Sequence, residues 1–213
     1  MNQTFTSTLR AASRFAATAI LLTGLSATAH ADAFTDKVAA KMASTLSEYQ
    51  TKKAVRGYTN AVTNALKAGK GQIVLPGIGK LYVKQASSGN KYVYCNFDHA
   101  FKLRVDTNSV DVGQLADTPN MMTATQFRQA VSDLTEFPYS VLDKLNIAIA
   151  DVIAETSKDR YEENIFAFGY FYGKSRSERN YTHPDTGKVF TLPAGIVPGF
   201  MAEVDLNYAA RGQ

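Results

Sequence analysis

Apolar residues in the first part of this chain follow two helical series and then a hairpin pattern. The two series predict a short helix followed by a longer one. They are Phe34, Val38, Met42 and Leu46, and then Val55, Tyr58, Val62 and Leu66. Ser47 and Gln50 match a capping box before the longer helix, and Gly69 is suited to end it. Strands are predicted over 72–75 and 78–83, joined by a Pro-Gly turn.

The second part of the chain repeats this succession. Thr123 and Gln126 form another capping box, and Pro138 and Ser140 open the longer of two helices. The apolar faces of these helices are Phe127, Ala130, Val131 and Leu134, and then Leu145, Ile149, Val152 and Ile153. The stretch over 165–172 has the composition of a strand.

Aligning Ile78-Gly79 with Phe168-Gly169 relates the two parts by an offset of 90 residues. A repeat of this length predicts two domains of about that size. Their predicted ranges are 32–106 and 122–213, with a linker over 107–121 that is rich in Asp, Asn, Gly and Pro. The apolar series specify packing and predict no chemistry.

The first 31 residues have the pattern of a signal peptide. Two arginines are followed by an apolar run over 15–25, and then by the small-x-small pattern Ala29-His30-Ala31. We expect cleavage after Ala31 and a periplasmic or secreted protein without integral membrane association. Because the segment is rich in Ser and Thr and lacks acidic residues, organelle targeting is the alternative.

Charge is distributed unevenly between the two parts. Residues 34–106 carry 12 Lys and Arg against 4 Asp and Glu, whereas residues 122–213 carry 9 against 12. This asymmetry predicts two units with different surfaces. The net charge of the whole chain is only +4, so overall basicity does not by itself indicate a nucleic-acid partner.

The sequence lacks the residue patterns of a catalytic or metal site. A single cysteine, Cys95, excludes a disulfide within the chain and a multi-cysteine zinc site. We find no nucleophile–base set, no paired carboxylates and no Gly-rich phosphate loop, so we expect no enzyme, cofactor or small-molecule substrate. Cys95 is expected to be partly buried on a strand, with an intermolecular disulfide as the alternative.

Four segments follow one another in the second part of the chain, namely 168–171, 179–188, Val197-Pro-Gly-Phe200 and 201–210. In this order they resemble the strand motif, the arm tip, the returning strand and the closing helix of the bacterial histone-like (HU/IHF) family, and the resemblance extends over nearly the whole length of this part. Each motif is weak alone, but the ordered set at family spacing is specific. Thr182-His183-Pro184 stands where the family usually has Arg-Asn-Pro, and Tyr181 where glycine is common.

The first part is similar to the family up to about Lys84 and then departs from it. Its arm over 85–90 is shorter and lacks a tip proline, and the residues over 99–101 are interpreted as the remnant of the returning strand. The resemblance implies an α+β fold of two tandem HU/IHF-like domains, each with a helical body, a β-saddle and a β-ribbon arm. It also implies an intramolecular pseudo-dimer, while pairing between two chains stays open.

The resemblance further implies that the second arm lies along the minor groove of double-stranded DNA with Pro184 as a rigid wedge. The DNA contacts implied are Lys174, Arg176, Arg179, Thr182, His183, Pro184, Thr186, Gly187 and Lys188, with Lys80, Lys84 and Lys91 from the first part. His183 is expected to be a neutral hydrogen-bonding side chain. A plain β-turn is the alternative interpretation of this tip.

Two functions follow from these expectations. The first is architectural binding and bending of double-stranded DNA outside the cytoplasm, with little sequence specificity because the minor groove is read degenerately. The alternative is an exported HU-like interaction module that binds a protein or an anionic polymer without productive DNA binding. The small net charge and the acidic second part favour this alternative.

Overall fold

The computed structural model describes residues 33–165 and 167–213, which form a mixed α+β fold. The predicted leader lies outside the described residues. The first part contains helix α1 (33–42), helix α2 (Glu48–Lys67), strands β1 (Gln72–Leu75), β2 (Gly79–Gln85) and β3 (Lys91–Phe97), and helix α3 (His99–Val105). The residues over 106–120 contain neither helix nor strand.

The second part follows the same order, with one additional short strand before its first helix and two in the arm. Its elements are β4 (Met121–Met122), α4 (Ala124–Thr135), α5 (Tyr139–Lys158), β5 (Glu162–Ile165), β6 (Gly169–Arg176), β7 (Arg179–Thr182), β8 (Val189–Leu192), β9 (Gly195–Ala202) and α6 (Val204–Ala210). The predicted domain boundaries stay a prediction.

Both predicted capping boxes are confirmed. The backbone N–H of Gln50 donates to the Ser47 hydroxyl at 3.3 Å, and Ser47 N donates to Gln50 Oε1 at 2.9 Å. Thr123 and Gln126 repeat these two hydrogen bonds at the start of α4. Each box satisfies two backbone donors that the first turn of a helix leaves free.

The two long helices end in the same way, although one ends on glycine and the other does not. Gly69 follows α2 with φ +80°, and Arg160 follows α5 with φ +61°. In both cases the next residue donates to a carbonyl five positions back, Lys70 N to Ala65 O and Tyr161 N to Thr156 O, at 3.0 Å each. Arg160 therefore occupies the left-handed conformation that glycine adopts without strain.

The stretch over 165–172, which has the composition of a strand, is divided by a hairpin turn. Strand β5 ends at Ile165, and Phe168 N donates back to Ile165 O at 3.0 Å before β6 begins at Gly169. Phe168 is buried, so the turn lies in the core and lacks the polar residues that usually mark one. The first part has the same turn, in which Ile78 N donates to Leu75 O at 3.1 Å.

Three further sequence interpretations need correction. The residues over 99–101 begin helix α3, because β3 already supplies the returning strand and Asp98 N donates to Ile78 O at 2.9 Å. The first two residues of the predicted closing helix 201–210 belong to β9, and the helix starts at Val204. Leu134 is 43% exposed, because the core face of α4 continues to Thr135 instead.

The two parts pack on each other reciprocally. Helix α3 packs on α5 and β9 of the second part, and helix α6 packs on α2 and β3 of the first. One hydrophobic core contains buried residues of both parts, and the rings of Phe97 and Phe171 meet across it at 6.1 Å. Each part therefore completes its core with helices of the other.

Hydrogen bonds at related positions join the two parts. Val93 N on β3 donates to Asn207 Oδ1 on α6 at 2.9 Å, and Ile196 N on β9 donates to Asp106 Oδ2 after α3 at 2.7 Å. Glu163 is 3% exposed and accepts from Lys37 of α1 at 2.5 Å. A buried carboxylate requires such partners, so this contact fixes α1 against β5.

Candidate nucleic-acid interface

The second arm is a long β-ribbon with a break near its middle. Strands β6 and β9 pair as far as Arg176 and Gly195, and β7 and β8 pair beyond the break. The Arg176 guanidinium donates to Pro193 O from Nε at 3.2 Å and from Nη2 at 2.8 Å. Proline has no N–H to continue a ladder, so Arg176 holds the ribbon together where the pairing stops.

Arg176 also lies in a charged environment at this break. Burial lowers the pKa of the Arg176 guanidinium, the positive charge of Arg179 lowers it further, and Asp106 opposes both effects. The side chain that the resemblance implied as a DNA contact therefore has a structural partner in the arm as well.

The tip of the arm is a tight turn organised by His183. Gly187 N donates to His183 O at 2.9 Å, and Nδ1 of the ring accepts from Asp185 N at 3.1 Å and Thr186 N at 3.3 Å. These two contacts fix the imidazole ring over the turn, with both backbone amides directed at Nδ1. Pro184 is exposed beside it, at the far end of the ribbon.

The outer ribbon of the arm, β7 and β8, has one apolar and one polar face. Opposed residues of an antiparallel pair share a face, so Tyr181 lies beside Phe190, and Leu192 lies on that face with them. Leu192 is 7% exposed, whereas Val189 on the other face is 60% exposed. The apolar face is therefore the covered one.

The linker covers this arm tip. A Cβ atom placed on Gly113 would lie 3.4 Å from Nε2 of His183, and His183 is only 6% exposed. One cleft is lined by residues of both segments, namely Asp111, Val112, Gly113, Gln114 and Ala116 of the linker and His183, Asp185, Thr186, Lys188 and Phe190 of the arm. The second arm is therefore folded back against the linker.

The same linker crosses the first sheet on the face that points away from the core. Lys80 Nζ donates to Asp117 Oδ1 at 2.5 Å and to Leu115 O at 3.3 Å, and Asn96 Nδ2 donates to Gln114 Oε1 at 3.2 Å. The Lys80 side chain is 16% exposed as a result.

The basic residues predicted for the interface are distributed over several surfaces. Lys80 and Lys84 share the outer face of β2, whereas the register places Lys91 on the opposite face of its sheet. The predicted residues exposed on the second arm are Lys174, Arg179, Thr182, Pro184, Thr186, Gly187 and Lys188. The ammonium of Lys188 lies 5.0 Å from the centre of the Phe190 ring.

Sequence reasoning missed a group of tyrosines on the outer sheet face. The rings of Tyr82 and Tyr94 stack at 5.6 Å with an interplanar angle of 25°. Burial raises the pKa of the Tyr82 hydroxyl, and Tyr94, Cys95 and Tyr181 of the arm raise it further. The signal in the sequence that could have revealed this group was Tyr92 and Tyr94 at alternate positions of one strand, with Tyr82 on the strand paired with it.

Cys95 is partly buried against the core, as expected, and burial raises the pKa of its thiol. Within residues 33–165 and 167–213 no three His, Cys, Asp or Glu side chains come together as metal ligands. Over the same residues, no helix combines the length and apolar character needed to cross a bilayer.

Comparisons with known proteins match the second part of the chain to one family. Residues 122–210 match the family described as Bacterial DNA-binding protein, a family of DNA-binding proteins rather than enzymes. DNA-binding protein HU 1 of Bacillus subtilis (strain 168) is 28% identical over 92 residues, which are 43% of this chain and 100% of that protein. A cocrystal structure of Anabaena HU with DNA is 24% identical over 39% of this chain and 91% of that one, with a TM-score of 0.33.

Proposed function

We propose, on the premise that residues 122–210 are a bacterial histone-like (HU/IHF) domain, that the protein binds and bends double-stranded DNA through its second arm. The observation that carries this proposal is an exposed proline, Pro184, at the far end of a two-stranded ribbon with exposed Lys174, Arg179 and Lys188. Such a ribbon can follow a minor groove, and a rigid ring at its tip can enter between base pairs.

The tip turn supports a wedge at Pro184. His183 Nδ1 ties down the two amides that follow the proline, and the pairing of Thr182 with Val189 closes the strands behind it. Proline itself has a fixed φ and no N–H that would lack a partner between bases. The turn is thus stiff on both sides of the ring. Unstacking a base step costs a few kcal/mol, which phosphate contacts along the arm offset.

The two parts of the chain act as two copies of one fold in an internal pseudo-dimer. The reciprocal packing of α3 on α5 and of α6 on α2 supports this arrangement, as does the turn shared by Ile78-Gly79 and Phe168-Gly169. Only one of the two copies has a long arm with a proline at its tip. The protein therefore introduces a single kink, where a pair of such arms would introduce two.

A salt series of duplex binding tests this function against the interaction module. The purified protein should retard a short duplex at low salt. The logarithm of its binding constant should fall with the logarithm of salt concentration with a slope of about −4, for four to five neutralised phosphates. Absence of retardation even at low salt would favour the interaction module.

The substitution Pro184→Ala tests the wedge itself. The variant keeps the arm's basic residues, so it should bind duplex nearly as well at low salt but bend it less. Fluorescence energy transfer between dyes on the two duplex ends measures the bend. Equal bending by both proteins would exclude Pro184 as the wedge.

One observation favours the interaction module as a second candidate. His183 is buried against the linker and Lys80 is paired with Asp117, so two of the residues assigned to DNA are occupied within the chain. In this second function the saddle or the arm would bind a protein or an anionic polymer instead of DNA.

The place of action that we propose is outside the cytoplasm, because of the leader pattern and the Ala29-His30-Ala31 site. The protein recovered from the periplasm or medium of an expressing bacterium should begin at Asp32 in N-terminal sequencing, as cleavage after Ala31 requires. Recovery of the uncleaved chain from the cytoplasm would contradict export.

A further inference from the structure

We propose that the linker and the second arm form an autoinhibitory latch, which occupies the DNA-facing side of the first sheet until duplex DNA displaces it. This inference rests on the proposed function. The latch has two parts, which are a strap (residues 111–118) that lies on the first sheet and the arm tip (residues 183–188) that docks on the strap.

The strap resembles a phosphate backbone in its charge. The linker contains two aspartates, Asp111 and Asp117, and neither Lys nor Arg. Asp117 pairs with Lys80. Asp111 lies near Lys102: burial lowers the pKa of the Lys102 ammonium, and the negative charges of Asp111 and Asp98 oppose this shift. The anionic strap thus occupies lysine positions of the copy that carries most of the positive charge.

Polar contacts fix the strap in one register on the sheet. Gln72 Nε2 donates to Ala116 O at 3.0 Å, and Thr118 N donates to Gln72 Oε1 at 3.0 Å. Gln72 is 6% exposed, and the strap satisfies both the oxygen and the nitrogen of its side-chain amide. Lifting the strap exposes this amide, which duplex phosphates or water must then satisfy.

The arm tip closes the latch from above. His183 Nε2 faces Gly113, and Phe190 lies in the same cleft as the strap. An arm that follows a minor groove cannot keep His183 buried at Gly113. Docking of the tip and insertion of Pro184 into DNA therefore exclude each other, and each binding event weakens the other by the same factor.

Two variants open the latch in different ways. Gly113→Val adds side-chain atoms at the point where His183 docks and changes no charge. Its matched control is Gly212→Val, because Gly212 has φ +81° against +83° for Gly113 but nothing within 4 Å of its Cβ position. Asp117→Asn releases Lys80, and its control is Asp133→Asn, which makes the same charge change on α4.

Two measurements follow the latch, one of them without DNA. Diethyl pyrocarbonate modifies accessible imidazoles, and mass spectrometry then gives the rate at His183, with His99 as the reference in the same molecule. The second measurement is duplex affinity at low salt. We expect slow modification of His183 in the wild type, faster modification in Gly113→Val and Asp117→Asn, and about fivefold tighter duplex binding by each than by its control.

The outcomes separate the latch from the proposed function. If the wild type binds duplex and neither variant binds more tightly than its control, the latch is overturned and the function stands. Modification of His183 in the wild type as fast as in a free histidine peptide also overturns the latch. If His183 is protected but no protein binds duplex at low salt, the proposed function fails and the inhibitory role fails with it.

Discussion

The two hairpins of this molecule share their base and differ only at the far end. At the base, Gly79 and Gly169 stand in the same place, because a Cβ on either would overlap the backbone of the returning strand. Related residues are 90 positions apart before the arms and 105 positions apart after them, as Asp98 and Glu203 show. The whole difference of 15 residues therefore lies in the second arm, so the scaffold tolerates a change in arm length.

The largest effect is expected from exchanging the arms. Replacing residues 176–195 with the five residues over 86–90 gives the second copy the short turn of the first. The protein should remain folded, because the exchanged residues begin at the last pair of the hairpin base and Ala86 and Asn90 of the inserted turn pair in the same way. Duplex bending should be lost. Circular dichroism checks folding and energy transfer across a labelled duplex checks bending. Retained bending would mean that the second arm is not the bending element.

A second comparison contrasts Gly173 on β6 with Val83, its counterpart on β2. A Cβ on Gly173 would overlap the Ser157 carbonyl of α5, whereas Val83 packs a full side chain against the core. Gly173→Ala should therefore lower the free energy of unfolding by about 3 kcal/mol, measured in urea. Val83→Ala serves as the control and should lower it by about 1 kcal/mol. A smaller loss at Gly173 than at Val83 would show that α5 and β6 can separate freely.

The helix ends provide a smaller test. Arg160→Gly relieves a left-handed conformation in the second copy and should raise the free energy of unfolding by about 0.5 kcal/mol. Gly69→Ala imposes the strain in the first copy and should lower it by about 1 kcal/mol. Equal effects of the same sign in urea titrations would contradict the equivalence of the two helix ends.

The smallest effect on stability is expected at Glu203 and Asp98, the acidic residues that lie at the starts of α6 and α3. Burial raises the pKa of the Glu203 carboxyl, with Asp205 adding to the shift and a backbone hydrogen bond opposing it. The charged form is therefore disfavoured in the folded state. This penalty is full above the raised pKa and disappears as pH falls below the ordinary value of 4.5.

Glu203→Gln should consequently stabilise the protein slightly at pH 7 and have no such effect below pH 4.5, the ordinary value for this carboxyl. Burial also raises the pKa of Asp98 in the first copy, but Lys80 and Lys102 oppose it there. Asp98→Asn should therefore stabilise less than Glu203→Gln. Urea titrations of both variants at the two pH values check the order.

Sequence patterns predicted the helices and hairpins because those elements depend on local rules. Capping at Ser47 and Thr123 and the spacing of the apolar series involve residues a few positions apart. The composition of residues 165–172 did not show where the strands end, because Phe168 in the turn is buried and the turn lacks the polar residues that mark exposed turns. The helix after Asp98 was missed because the resemblance to the family was followed only to about Lys84 in the first part, and residues 99–101 were assigned to the returning strand.

Much less of the candidate site could be predicted. The ribbon and its exposed proline follow from consecutive residues, and both are found. The folded-back arm depends on contacts between segments 70 positions apart, such as Gly113 with His183, and no local spacing encodes them. The pairing of Lys80 with Asp117 has the same origin, because it depends on the path of the linker.

The reciprocal packing of two parts of one chain has a consequence for how stability depends on protein concentration. A body made from two separate chains falls apart when its concentration drops below its dissociation constant. Here the linker keeps each part of the chain at an effective concentration of about millimolar around the other. The thermal midpoint should then be the same in a nanomolar and a micromolar sample, and a single molecule far from any other would keep its shared core intact.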